Sequence, residues 1–234
     1  MYDDPSEVPT TAPDFTSRVM SASDLRIVRK DPEARQRLEE WLQRMVHESQ
    51  GGDRIVQFLL PHGEPALRLL KSSLALNEQT LVAKAMKEGG EAHVLFQAAR
   101  KGQVQWMAWM TERGADLTWR DHQGYNLAAH LFRAQDLQDE IDALPIGKRD
   151  RNKVARMATR WIKQQDTLYD WVKKRVDNTF WRQRGMGGEF MEDLCEERRR
   201  TAYEWVWKLA PEARKQLLNT HVAGPGVSTP KTRM

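Results

Sequence analysis

The chain has 234 residues, 40% of them hydrophobic and 30% charged, with a formal net charge of +4. This excludes a disordered chain and leaves enough apolar material for a core, while no apolar run approaches the roughly twenty residues needed to cross a bilayer. A single cysteine, Cys195, excludes an internal disulfide and favours a reducing, cytoplasmic setting.

Residues 1–23 place Pro5, Pro9 and Pro13 among Ser, Thr and Asp, without a basic and apolar leader. They read as a disordered tail rather than a secretory signal. Asp31-Pro32 then supplies a helix start: the carboxylate can accept from free first-turn N–H groups, and proline sits where its missing N–H does no harm. Ala34, Leu38, Trp41, Leu42, Met45 and Val46 fall on one face of that helix, and Gly51-Gly52 are expected to end it. The apolar stretch from Ile55 to Leu60, stopped by Pro61, reads as a helical turn in preference to a short strand. Glu64-Pro65 opens a helix carrying Leu67, Leu70 and Leu74. Asn77 is expected to cap the next, which carries Leu81, Val82, Ala85 and Met86 and closes at Gly89-Gly90. Two more run from Val94 to Lys101 and from Val104 to Arg113. Helices this short are marginal alone in water and need neighbours to stack on.

Residues 93–130 hold the most specific pattern. Leu95, Ala98, Ala99 and Gly102 are followed by Trp106, Met107, Trp109 and Met110, then Gly114-Ala115-Asp116 and Asp121-His122-Gln123-Gly124. Small Ala98 and Ala99 suit a close approach of paired helices, a glycine after a helix ends it cheaply, and Asp121 with Gly124 suits a tight turn. Leu95 and Ala128 lie 33 residues apart in equivalent places. The stretch resembles an ankyrin repeat, with His93-Val94 in place of Thr-Pro and Phe96 in place of His. The units on either side, within about 62–145, keep less of the pattern. The resemblance implies protein binding through the hairpin and the concave face. Carried over by position, the binding residues are Arg100, Lys101, Arg113, Trp119, Arg120, His122, Gln123 and Tyr125, facing an acidic partner surface. Two places are open to Trp119: exposed in the hairpin, or folded back onto the neighbouring unit.

After Gly147 the texture changes. Residues 148–184 carry 12 Lys/Arg against 4 Asp/Glu, whereas residues 1–147 carry 17 against 22. Val154, Met157, Ala158, Trp161, Leu168, Trp171, Val172, Val176 and Phe180 mark one long amphipathic helix, with a break expected near Asp166 if there is one. Arg149, Arg151, Lys153, Arg156, Arg160, Lys163, Lys173, Lys174 and Arg175 are candidate nucleic-acid contacts, set against the plainer reading of a solvated helix face. Trp161 and Trp171 share the broad apolar face and Trp181 lies towards its end, so at least two of the three are expected in the core. Gly185, Gly187 and Gly188 read as a hinge. A second long helix follows from Glu189 to about Leu209, and Pro211 opens a last one through Leu218.

The expected fold is all-α: a short ankyrin-like helical stack with N-terminal capping helices (24–147), amphipathic helices over 148–220, and a disordered tail over 221–234. No phosphate-binding glycine loop, His-Glu-x-x-His or paired-cysteine motif occurs, and the six histidines show no ligand spacing. Anions flank Cys195 and oppose a thiolate. The sequence therefore points to a non-enzymatic protein-interaction module without metal or cofactor (an adaptor, inhibitor or immunity-type factor) with no membrane partner. Nucleic-acid association through the basic helix is the alternative.

Overall fold

In the computed structural model the described residues are 22–48, 51–85, 94–145 and 150–211. Residues 1–21 of the tail expected over 1–23, the closing Gly89-Gly90, Arg149, the helix after Pro211 and the tail over 221–234 lie outside them. Every element among them is helical: α1 (Ala22–Lys30), α2 (Pro32–Val46), α3 (Gly51–Leu59), α4 (Gly63–Ser73), α5 (Leu76–Ala85), α6 (Val94–Arg100), α7 (Val104–Glu112), α8 (Ala134–Asp142), α9 (Arg151–Lys173), α10 (Asn178–Trp181) and α11 (Met191–Leu209). Two 3-10 turns, Leu60–His62 and Leu127–His130, join them. None of these helices is long and apolar enough to cross a membrane.

The Asp31 side chain caps α2, accepting from the Glu33 N–H at 2.9 Å, a contact typically worth about 1 kcal/mol. Ala34, Leu38, Trp41, Leu42 and Met45 are buried along the expected face. The first helix signal in the sequence is Asp31-Pro32, but α1 precedes it and takes in Ala22 and Ser23 from the predicted tail. Gly51 and Gly52 do not end α2, which stops at Val46; they open α3. The reason is close approach: a Cβ on Gly51 would lie 1.7 Å from the Met45 carbonyl oxygen.

Asn77 is not a cap either. Helix α5 already begins at Leu76, and the Ala75 N–H donates to Glu78 Oε2 at 2.7 Å, the backward half of a capping box. The helix is turned so that Val82 and Ala83 are buried while Leu81 is 47% exposed. Buried Gln79 fixes that rotation. Its amide donates to the Leu74 carbonyl at 2.9 Å, and its Oε1 accepts from Trp109 Nε1 at 3.2 Å and from Arg113 at 2.9 Å.

The helix pair α6 and α7 forms where expected. Ala98 and Ala99 are fully buried, as are Trp106, Met107 and Met110. Trp106 Nε1 donates to the Gly63 carbonyl at 3.0 Å and the Gln103 amide to the Leu60 carbonyl at 2.9 Å, which ties the pair to the start of α4. The following unit is shortened to the 3-10 turn Leu127–His130 and α8.

Helix α9 runs unbroken through Asp166, and the interruption comes after Lys173. Asp166 is carried within the helix because Arg199 of α11 pairs with it at 3.3 Å and the Tyr203 hydroxyl donates to it. The break belongs to Asp177, whose carboxylate accepts from the N–H groups of Thr179 and Phe180 and starts α10. Trp161 and Trp181 are core residues; Trp171 is half-buried, with the Arg175 guanidinium 4.2 Å from its ring centroid.

Two contacts seat α9 on the α6–α7 pair. Gly102 takes φ +63, and a Cβ there would meet Gln164 Cβ at 2.8 Å and the Gln164 backbone carbon at 3.0 Å. Gln165, fully buried, donates to the carbonyls of Ala99 at 3.0 Å and Arg100 at 2.7 Å, and accepts from the Phe132 N–H at 3.0 Å. It thereby adds a donor to two carbonyls in the last turn of α6, where helical partners run out. Asn126 does the same for α10, donating to the Phe180 carbonyl at 2.9 Å. One continuous core runs from Leu25 to Ala210.

Candidate functional site

Most of the eight residues assigned to protein binding are committed within the fold. Arg100 donates to Nδ1 of buried His130 through Nε at 3.3 Å. That leaves the imidazole proton on Nε2, which faces Asp121 Oδ2 at 3.3 Å. Burial, and then the Arg100 charge, hold the His130 pKa well below the usual imidazole range, so the ring bridges Arg100 and Asp121 as a neutral group. Phe96 stacks on it, with centroids 4.1 Å apart. Lys101 pairs with Glu140 of α8 at 3.2 Å. Arg113, its side chain 12% exposed, reaches the Trp109 carbonyl at 3.1 Å, Gln79, and the Trp109 ring at 5.0 Å. Trp119 is half-buried against the core, the folded-back placement of the two.

The stretch from Asp121 to Gly124 is a tight turn. Asp121 Oδ1 accepts from the N–H groups of Gln123 and Tyr125, each at 2.9 Å. Arg120, His122 and Gln123 project from it, exposed. The glycine segment read as a hinge is instead docked here: the Met186 N–H donates to the Gln123 carbonyl at 3.3 Å, and the Tyr125 hydroxyl hydrogen-bonds Glu189. That bond raises the Tyr125 pKa and lowers that of Glu189.

The nine basic candidates of the alternative reading separate. Lys153 is half-buried. Lys173 lies over the Tyr169 ring at 5.6 Å, Arg175 over Trp171, and Lys174 is the exposed C-cap of α9. Arg151, Arg156, Arg160 and Lys163 line a groove of about 1770 Å3 on the N-terminal part of α9. Its other walls are the start of α4, from Pro61 to Arg68, and the α6–α7 turn from Lys101 to Trp106, with the end of α11 closing one side.

The groove's two carboxylates are already used, Glu64 by Arg68 at 3.2 Å and Glu140 by Lys101. The four α9 cations are exposed, and none forms a side-chain hydrogen bond or ion pair with another described residue. The groove therefore holds four uncompensated positive charges within about 18 Å along the helix. One residue of the protein-binding set, Lys101, and four of the basic set, Arg151, Arg156, Arg160 and Lys163, meet here. Arg68 was missed; its only sequence signal was a place on the helix that Glu64-Pro65 opens.

No His, Cys, Asp or Glu cluster that could hold a metal ion occurs among the described residues. Cys195 is fully buried; burial first, and then Glu196, push its thiol up to about 12, so it stays protonated. Tyr169 donates to Glu196 at 2.7 Å, and its own pKa is raised by burial and by that bond. These groups join α9 to α11 and do not open into the groove. No protein-family model, curated protein or solved structure matches the chain.

Proposed function

We propose that this chain is a non-catalytic protein-interaction scaffold, built on an ankyrin-like stack whose basic groove receives an acidic segment of a partner protein. The observation that carries the reading is the row of unpaired cations from α9 facing a wall formed by α4 and the α6–α7 turn. Four like charges held together without counter-ions raise the local potential and attract an opposite charge pattern. The walls are fixed before any partner arrives, by Gln165, Gly102 and the bond from Trp106 to Gly63. Docking then costs little ordering of the scaffold, and the action on the target is steric: it occludes or tethers the bound segment.

Nucleic-acid association remains the second reading, because the same four cations belong to the basic segment. Against it stands the absence of a stacking platform: the two tryptophans lining the groove, Trp106 and Trp161, are 0% and 6% exposed. Affinity capture of the full chain from native lysate, with and without nuclease, separates the two. The scaffold reading predicts a stoichiometric protein that survives nuclease and is lost with Arg156→Glu plus Arg160→Glu. Loss of all captured material on nuclease treatment would overturn it.

A further inference from the structure

We infer that the groove is shaped for an amphipathic partner helix, acidic along one face and apolar along another, lying alongside α9. This rests on the groove being a protein-docking site and specifies what docks there.

The charge spacing is helical on the scaffold side. Arg156, Arg160 and Lys163 follow one another at i, i+4 and i+7, so their Cα atoms climb α9 in steps of about 6 and 4.5 Å. A second helix laid beside α9 presents carboxylates at the same intervals when its Glu or Asp residues sit at i, i+4 and i+7. An extended strand, rising about 3.3 Å per residue, repeats on one side about every 6.6 Å; it meets the first step and overshoots the second by about 2.7 Å.

The volume agrees. The groove holds about 1770 Å3. A helix about 10 Å across and 18 Å long, the rise from Arg151 to Lys163, fills about 1400 Å3. That diameter already includes side chains, so the remainder is room for water.

The lining is also not simply basic. Pro65, Val104, Ala155, Met157 and Leu209 are half-buried apolar residues on the same walls. A plain polyanion would neutralise the cations and leave this surface wet. A helix with an apolar edge covers it and gains the burial.

Fluorescence anisotropy on the full chain tests the inference with three labelled probes. The first is a peptide of about eighteen residues, long enough to hold a helix, with Glu at i, i+4 and i+7 and Leu on the adjacent face. The second has the same residues scrambled so that both faces are lost and the charge is kept. The third is a single-stranded oligonucleotide of matched charge. The amphipathic peptide should bind at least tenfold more tightly than either of the others, and Arg156→Gln plus Arg160→Gln should weaken it at least tenfold without shifting the thermal midpoint. Equal binding of the scrambled peptide would overturn the helix while leaving an acidic-peptide site. Tightest binding of the oligonucleotide, or no binding of any probe, would overturn both readings.

Discussion

The turn around Asp121 and the groove along α9 are both rich in arginine and lysine, yet the cations do different work. Arg100 and Arg113, which lead up to the turn, point inward: one holds His130 and the other holds Gln79 and the Trp109 carbonyl. Arg151, Arg156, Arg160 and Lys163 point into an open groove and hold nothing. Charge along the chain is thus a poor guide to availability. What decides it is whether a carbonyl, ring or imidazole lies within reach.

The comparison can be broken most severely at the junction between the two regions. Gly102→Ala forces a Cβ into the Gln164 backbone at positive φ; it should cost about 3 kcal/mol in urea unfolding. Gln165→Ala removes the amide that donates to the Ala99 and Arg100 carbonyls and the oxygen that accepts from the buried Phe132 N–H, and should cost about 2–3 kcal/mol. Lys163→Ala, two residues away on the groove side, should change stability by less than about 0.5 kcal/mol.

A smaller effect follows from His130. Its pKa is depressed in the folded chain from an ordinary value of 6.5, so the unfolded chain takes up the proton first as pH falls. The stability that the neutral ring contributes is complete above pH 6.5 and is lost progressively below it. Between pH 6.5 and 5.5 the loss approaches about 1.4 kcal/mol per pH unit. Urea midpoints of the wild type should drop over that interval, and those of His130→Gln should drop less.

The smallest contrast is the most diagnostic. Arg113→Ala removes bonds to Gln79 and the Trp109 carbonyl and should cost about 1 kcal/mol. Arg160→Ala should leave the thermal midpoint unchanged. A stability loss at Arg160 as large as that at Arg113 would mean that the groove cations also serve the fold.

Much of the architecture is legible in the sequence. The α2 cap at Asp31, the pair α6 and α7, and the turn at Asp121 all follow from local chemistry: a carboxylate beside free N–H groups, small residues where helices touch, an Asx turn. The failures share a cause. Gly51 and Gly52 carry a stop signal, yet they open α3, and Gly51 accommodates the close approach of the Met45 carbonyl. Asp166 looks like a break in α9 until Arg199 and Tyr203 arrive from α11. The groove was half legible. The i, i+4, i+7 spacing of Arg156, Arg160 and Lys163 opposite the apolar stripe is in the sequence. The wall from Pro61 to Arg68 is not, because nothing local says that the start of α4 lies across from α9.

The central claim is that the groove, and not the turn, is the docking surface. The most direct measurement sets Arg156→Glu plus Arg160→Glu beside Arg120→Glu, with affinity for the acidic amphipathic peptide read at one salt concentration. The account predicts at least a tenfold loss for the groove variant and less than a twofold change for the turn variant. The reverse order would contradict it and return the binding surface to the turn.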